Sequence, residues 1–241
     1  IREEMQRNRW CPQAPKLLAG SGKDDVHLFV VATSDKGLAG AFNTNIVRLA
    51  RRRAEELRAA GKTVKFYTIG KKGRDQLSRT YRSDIVHGIE PGDLGKIGFD
   101  NAQEWAGDLT TRFEAGEFDV AHLFFSKFVS VLTQEPTEIQ LMPVAVAETG
   151  AAPATAGASV EYEPDEEEIL ADLLPRNVSV QLLRAQRENA ASEQGSKMTA
   201  MDNATRNAGD MINKLTIQYN RTRQAAITTE LVEIISGAEA L

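Results

Sequence analysis

One loop combines the residue types that can hold an anion or move a proton. Residues 33–43 have the sequence TSDKGLAGAFN, after an apolar run and before a helical pattern. Glycines at that position let backbone amides approach a phosphate in α/β folds. The spacing of Gly37 and Gly40 fits neither G-x-G-x-x-G nor G-x-x-x-x-G-K-[ST]. We therefore interpret both glycines as residues of a tight turn and expect no nucleotide to bind here.

Few other residues could do chemistry. Asp35 and Lys36 place a carboxylate beside an amine, which could act as an acid/base pair, although any loop offers as much. The sequence contains neither G-x-S-x-G nor H-E-x-x-H. Three histidines and Cys11 give no zinc-ligand spacing, and His27 and His122 fall within strand patterns, where we expect core residues. The sequence thus predicts no catalytic, metal or cofactor site.

Composition sets broad limits on the class of protein. The chain has 241 residues, is 41% hydrophobic and carries a net charge of −5, which suits one ordinary domain with an appendage and does not indicate a nucleic-acid binder. A single cysteine favours a reducing compartment. No apolar run approaches the roughly 20 residues that span a bilayer. The chain begins with IREEM rather than an initiator Met, and we expect its true N-terminus to be missing.

The elements that would position these residues alternate between strands and helices. Apolar runs and helical spacing predict a largely parallel sheet with covering helices, that is, an α/β layer. The predicted strands are 26–33, 64–69 and 120–125, with two further extended segments at 128–133 and 137–143. The predicted helices are 43–60, 71–79 and 101–114.

A flexible loop and a short helix follow the α/β pattern. Residues 148–160 are rich in Ala, Gly, Thr and Pro, which is typical of loops. The acidic residues between 161 and 168 suit the N-terminus of a helix, where the helix dipole favours negative charge. We expect this short helix to end at Pro175.

The C-terminal region predicts one long helix. Residues 176–241 lack proline and are rich in helix-forming residues, and a helix of that length would extend about 100 Å. A compact domain of this size cannot cover such a helix, although one folded back on its own domain remains an alternative. Apolar or small residues recur at alternating steps of three and four, which predicts a coiled-coil seam. The seam comprises Met201, Ala204, Ala208, Met211 and Leu215.

Several separated motifs resemble the gamma subunits of F-type ATP synthases. The C-terminal run ITTELVEIISGAEA at 227–240 resembles the signature of that family most specifically. The segments ENAASEQ at 188–194, MTAMDNA at 198–204 and YNRTRQ at 219–224 also resemble it, as does the loop at 33–43. The resemblance covers roughly residues 14–241.

This resemblance implies a non-catalytic rotor with a Rossmann-like α/β domain plus a long C-terminal coiled-coil helix. The implied divisions are a residual segment 1–16, a foot domain 17–147, a loop and short helix 148–175, and a rotor helix 176–241. The helix would enter a hexamer of alpha and beta subunits, and the foot would bind epsilon (delta in mitochondria) and rest on the c-ring. Arg223 and Gln224 match the residues that contact a beta-subunit loop. The C-terminal signature residues are Ile227, Thr228, Glu230, Glu233, Gly237 and Ala238.

The resemblance also implies a location and exposes two departures. The complex would sit at the cytoplasmic face of a bacterial inner membrane or, alternatively, at the matrix face of the mitochondrial one. Members of the family begin with a long N-terminal helix, which this sequence lacks, so we expect a truncated chain. Residues 176–179 differ from the Tyr and Glu of many relatives, so no c-ring contact is assigned there.

Two other functions compete with the rotor. An enzyme or nucleotide binder with a helical dimerisation arm would require a glycine fingerprint and a ribose-binding acid, which the sequence lacks. A coiled-coil scaffold with a globular head would require a strong Leu/Ile seam, whereas the predicted seam is rich in alanine.

Overall fold

A computed structural model of the protein describes residues 16–144 and 166–239, with side chains described for 16–144 and 169–238. The predicted loop at 148–160 and residues 1–15 of the predicted N-terminal segment lie outside the described residues.

A five-stranded, mostly parallel sheet forms the centre of the described fold. The strands lie in the order β3-β2-β1-β4-β5. Strands β1 to β4 pair in parallel, and β5 pairs antiparallel to β4. The prediction of a largely parallel α/β sheet is therefore confirmed. The bounds are β1 Val26–Ala32, β2 Thr63–Ile69, β3 Ile85–Ile89, β4 Val120–Phe128 and β5 Gln134–Met142.

Helices cover both faces of the sheet. Because successive side chains of a strand point to opposite faces, each central strand contributes to two hydrophobic clusters. In β1, Leu28 and Val30 belong to one hydrophobic cluster, while Phe29 and Val31 belong to the other. Helices α2 (Phe42–Ala59) and α3 (Lys71–Tyr81) pack in the second cluster. Helices α1 (Lys16–Ala19) and α4 (Phe99–Glu114), with the first part of α5 (Glu166–Glu239), pack in the first. This double cover explains the continuous apolar runs of the central strands.

The prediction missed β3 and misplaced one extended segment. Strand β3 is a short edge strand of five residues with exposed and half-buried side chains, so it has no apolar run in its sequence. Of the segment predicted to be extended at 128–133, residues 129–133 form the turn between β4 and β5, where Thr133 donates its amide proton to the carbonyl of Ser130. The extended prediction there was wrong, because exposed apolar residues of a turn resemble those of a strand.

The predicted break at Pro175 is also absent. Pro175 lies inside α5, which runs without interruption from Glu166 to Glu239. Proline removes one helical hydrogen bond and usually breaks or kinks a helix. Here Leu174 and Val178, on either side of it, are buried in the same hydrophobic cluster. Packing on both sides of the proline therefore outweighs its local cost.

Residue contacts divide the chain into two units, Ile1–Lys197 and Met198–Leu241. The first contains the sheet and its helices, and the second is the C-terminal part of α5. Across the described parts of the chain, no helix is long and apolar enough to cross a membrane. Within the same residues, His, Cys, Asp and Glu side chains form no group that could hold a metal ion.

Candidate functional site: the carboxyl edge of the sheet and an exposed helix

The loop after β1 occupies the N-terminus of helix α3, a position that could otherwise hold an anion. Open α/β sheets bind phosphates with free backbone amides at such a position. In this structure the first three amides of α3 already donate to the loop. Lys71 donates to the Asp35 carboxylate at 2.6 Å, Lys72 to the Ser34 carbonyl at 3.1 Å and Gly73 to the Thr33 hydroxyl at 2.9 Å. Asp35 therefore pins α3 to the loop instead of pairing with Lys36 as an acid/base couple.

Close contact between α3 and this loop requires glycine. A Cβ atom at Gly70 would lie 2.3 Å from the Thr33 carbonyl oxygen, and one at Gly73 would lie 2.6 Å from the Thr33 hydroxyl. Gly70 also has a φ of 107°, in the region that favours glycine. The two glycines that the sequence singled out lie elsewhere. Gly40 has a φ of 53° and lies in a turn, whereas Gly37 lies before that turn. The loop is thus built for packing against α3.

The crevice at the carboxyl ends of β1 and β4 is occupied by the protein's own helix. The neighbours of β1 in the sheet are β2 and β4, so the chain order reverses here, and this is where open α/β sheets take their ligands. The side chain of Asn189 in α5 bridges the two strands. Its Oδ1 accepts the amide proton of Ser126 at 2.8 Å, and its Nδ2 donates to the carbonyl of Ala32 at 3.0 Å. The Ser192 hydroxyl adds a bond to the Ser126 carbonyl at 3.1 Å.

The same helix also contacts the β4–β5 turn. The Ser196 hydroxyl donates to Gln134 Oε1 at 2.8 Å, and Gln134 Nε2 donates to the Val131 carbonyl at 2.6 Å. Gly195 lies so close to the turn that a Cβ atom there would be 3.2 Å from the Val131 oxygen. We call Asn189, Ser192 and Ser196 the sheet-edge clamp, because each bonds α5 to a strand end or to the turn.

One ionisable group is buried beside the clamp. Glu193 lies on the buried face of α5, and its carboxylate is 3.7 Å from the ammonium of Lys197. Burial raises the pKa of Glu193, while the nearby charges of Lys197 and Lys36 oppose the rise. Lys36 therefore faces a helix carboxylate of its own chain.

Beyond the clamp, α5 exposes every face. From Met201 to Ala238 all side-chain positions are exposed except Gly209, which is half-buried. These residues include apolar side chains such as Met211, 64% exposed, and Leu215, 57% exposed. Helical stability in proteins comes mostly from packing, so an exposed apolar stripe on a long helix indicates a surface made for other chains.

Comparison with known proteins identifies the family. The sequence profile of the family described as ATP synthase matches residues 3–241. The ATP synthase gamma chain of Rhizorhabdus wittichii is 69% identical over 231 residues, which cover 95% of this chain and 79% of that protein. The gamma chain of Sphingopyxis alaskensis is 60% identical over 228 residues, covering 95% and 78%. The chain belongs to the ATP synthase gamma chain family.

Solved structures related to this gamma chain family have the same fold. A chain of the Euglena gracilis mitochondrial ATP synthase (OSCP/F1/c-ring, rotational state 3) matches with a TM-score of 0.70 at 20% identity, covering 98% of this chain and 83% of that one. A chain of the Tetrahymena thermophila central stalk and c-ring matches with a TM-score of 0.60 at 23% identity, covering 77% and 80%. At these identities the likeness concerns the fold alone.

The gamma-chain residues singled out by sequence all lie in the C-terminal unit of α5. Arg223 and Gln224 are adjacent exposed residues of α5, and among the described residues Arg223 forms no ion pair. Steps of three and four put the seam residues on one exposed face of α5, namely Met201, Ala204, Ala208, Met211 and Leu215. The signature residues are exposed in its last turns, namely Ile227, Thr228, Glu230, Glu233, Gly237 and Ala238.

Sequence reasoning missed the sheet-edge clamp. The motif at 188–194 was noticed only for its resemblance to the family, although it contains Asn189 and Ser192. The partners of Asn189 are 63 and 157 residues away in the chain. The only local signal was a pair of small polar residues at helical spacing, which is usually a solvated face.

Proposed function

We propose that this chain is the central-stalk rotor subunit of an F-type ATP synthase. In this role it couples proton-driven rotation of the membrane c-ring to the conformational cycle of the catalytic beta subunits. The chain itself is non-catalytic, and ATP is made and hydrolysed on the beta subunits. The observation that carries the proposal is the exposure of α5 on all sides from Met201 to Ala238, in a member of the gamma chain family.

The exposed helix suits a surface that turns against its neighbours. Residues 176–241 carry eight basic and seven acidic side chains, and exposed ion pairs contribute only about 0–1 kcal/mol each. Contacts this weak can break and form again at each step of rotation. The stripe Met201, Ala204, Ala208, Met211 and Leu215 is proposed to pack closely against a second helix, because alanines allow two helix axes to approach.

The proposed partners are the alpha and beta subunits around the helix, and the epsilon subunit and c-ring at the sheet domain. Arg223 and Gln224 are proposed to hydrogen-bond a beta-subunit loop, since Arg offers five donors and Gln both a donor and an acceptor. The complex would hold the chain at the cytoplasmic face of a bacterial inner membrane. The bacterial relatives support that location over the mitochondrial matrix.

The proposal can be tested by co-purification. The tagged chain would be expressed with the alpha and beta subunits of the same source, and bound subunits would be identified by mass spectrometry after a wash in moderate salt. We expect alpha and beta to be recovered together. A chain shortened before Met198 removes the exposed helix and serves as the control, which should recover neither. Equal recovery by both chains, or by neither, would contradict the proposal.

A nucleotide-binding enzyme is the competing function, and the filled carboxyl edge disfavours it. The amides of α3 already donate to the loop, and Asn189 occupies the crevice between β1 and β4. We expect calorimetric titration with ATP, ADP and NAD to detect no micromolar binding. Saturable binding of any of these at micromolar concentration would favour the enzyme instead.

A further inference from the structure

The buried face of α5 changes chemistry as the helix passes the carboxyl edge of the sheet. Before the edge the buried side chains of α5 are mostly apolar, and the Ser179 hydroxyl among them donates within the helix, to the Pro175 carbonyl at 3.0 Å. Ala185 is the last apolar side chain of α5 that is fully buried among the described residues. After it the buried face is polar, and it consists of Gln186, Asn189, Ser192 and Glu193. Apolar burial is non-directional, whereas a hydrogen bond weakens steeply away from its preferred angle. The polar part therefore fixes the angle of the helix about its own axis more strictly than the apolar part.

Asn189 is the residue of this face with the strictest geometry. Its one amide group accepts from Ser126 of β4 and donates to Ala32 of β1, which are neighbouring parallel strands. A slip of α5 by one residue would turn the helix about 100° and move it about 1.5 Å. That displacement would break both bonds, because it would carry the amide off the face of α5 that meets the strands.

We propose that Asn189 is a positioning residue that locks the rotational angle of α5 on the sheet, so that torque passes between the sheet domain and the helix without slip. This inference rests on the proposed rotor function and adds to it the joint through which the load passes. Ser192 supports the lock through its bond to the Ser126 carbonyl. Aspartate could accept from Ser126 but could not donate to Ala32, and leucine could do neither.

The neighbouring Gln186 provides a matched control. Gln186 and Asn189 are both fully buried, at 0% exposure, and lie one turn apart on α5. The amide of Gln186 has no hydrogen-bond partner among the described residues. Substitution of either residue by Leu removes a buried amide from the same helix, but only Asn189→Leu removes bonds to the strands.

The decisive measurement is proton pumping per ATP hydrolysed by the assembled complex in membrane vesicles. With Asn189→Leu we expect hydrolysis to continue while the pumping ratio falls about two- to tenfold, the range by which loss of a buried hydrogen bond shifts an equilibrium. With Gln186→Leu we expect the wild-type ratio. A merely structural role for Asn189 would lower assembly and both activities together and would leave the ratio unchanged.

A lowered ratio in Asn189→Leu alone supports the lock, whereas equal ratios in the two variants overturn it. If Asn189→Leu does not assemble, Ser192→Ala takes its place, because it removes a single hydroxyl. A lowered ratio in that variant supports the lock, and a wild-type ratio overturns it. A wild-type chain that neither assembles nor pumps would overturn the proposed function, and this inference with it.

Discussion

Buried polar side chains tie the strands of this protein together at their amino ends as well as at their carboxyl ends. Asp119, just before β4, accepts hydrogen bonds from the Ser21 hydroxyl at 2.7 Å and from the amides of Asp25 and Val26 at 3.0 Å each. Burial alone would raise the pKa of Asp119, but these hydrogen bonds outweigh burial and hold the pKa below its usual value. The charged form of Asp119 is therefore part of the folded structure.

At the residue scale, we expect Asp119→Asn to destabilise the protein and to flatten its acid sensitivity. The unfolded pKa is near 3.8 and the folded pKa lies lower, so the charge stabilises the fold above the unfolded pKa. That stabilisation is lost as the pH falls through the folded pKa. The free energy of unfolding at neutral pH should fall by about 1–3 kcal/mol, the cost of poorly satisfied buried groups. Denaturant titrations from neutral pH to pH 3 measure both effects.

The control for this prediction is Asp75→Asn, which removes an exposed carboxylate from α3. It should change the unfolding free energy little, because surface substitutions usually fall within about 0.5 kcal/mol. If Asp119→Asn and wild type lose stability equally between neutral and acid pH, Asp119 is not the group responsible.

A second buried group shows what sequence reasoning can find at this scale. His27 and His122 were expected to be core residues, and both are buried. Their rings lie side by side, with His27 Nδ1 3.2 Å from His122 Nε2, and Glu138 lies 3.0 Å from His122 Nδ1. Burial lowers the pKa of His27. Burial within a largely apolar strand was readable from sequence, but the pairing of residues 95 positions apart was not.

At the scale of elements, the sequence predicted what local pattern controls. The doubly buried strands β1, β2 and β4 are largely apolar in sequence, and all three were found. Strand β3 was missed because an edge strand gains its hydrogen bonds from β2 without needing apolar residues. The long helix was found from composition, but its start was misplaced because the packing of Leu174 and Val178 across Pro175 is tertiary.

Two glycines of α5 should respond in opposite ways to alanine. Alanine is favoured over glycine by about 1 kcal/mol in a helix interior. A Cβ atom at Gly209 would meet nothing within 4 Å, whereas one at Gly195 would lie 3.2 Å from both Gln134 Nε2 and the Val131 oxygen. Gly209→Ala should raise helicity in far-ultraviolet circular dichroism. Gly195→Ala should lower the unfolding free energy by about 1–3 kcal/mol, the usual cost of overpacking. An unfolding free energy that does not fall in Gly195→Ala would contradict the tight contact at Gly195.

The exposed part of α5 should be the least protected element of the isolated chain. Its seam residues, such as Met201 and Leu215, are not buried by any of the described residues, because the whole stretch is exposed. We expect amides from Met198 to Ile235 to exchange rapidly or the chain to self-associate, while amides of β1, β2 and β4 remain protected. Hydrogen exchange by mass spectrometry measures both regions in one sample. Strong protection of 198–235 in a confirmed monomer would mean that the helix is stable without packing.

At the scale of the whole molecule, helix α5 occupies the carboxyl edge of the sheet, where many α/β domains bind a ligand. Asn189 closes the crevice between β1 and β4, and Asp35 closes the N-terminus of α3. The sequence could predict the absence of a phosphate-binding spacing, but it could not predict what fills the edge. Function in this chain therefore depends on surfaces that face other subunits, and the most specific of these to test lies near the end of α5.

Arg223 and Gln224 offer a test of whether function depends on contacts with other subunits. Both are exposed, and alanine favours a helix, so Arg223→Ala with Gln224→Ala should leave the chain folded. In a complete complex we expect ATP turnover to fall by roughly tenfold to a hundredfold, because a hydrogen bond to a charged group contributes about 1.5–3 kcal/mol and each 1.36 kcal/mol changes a rate tenfold. Gln218→Ala with Arg221→Ala is the matched control, since it removes the same two residue types from the preceding turns of the same exposed helix. The control should retain wild-type turnover, and thermal unfolding should be the same for both double variants. Unchanged turnover in the Arg223 and Gln224 variant would reject the contact, and an equal loss in both variants would show a dependence on the overall charge of the helix.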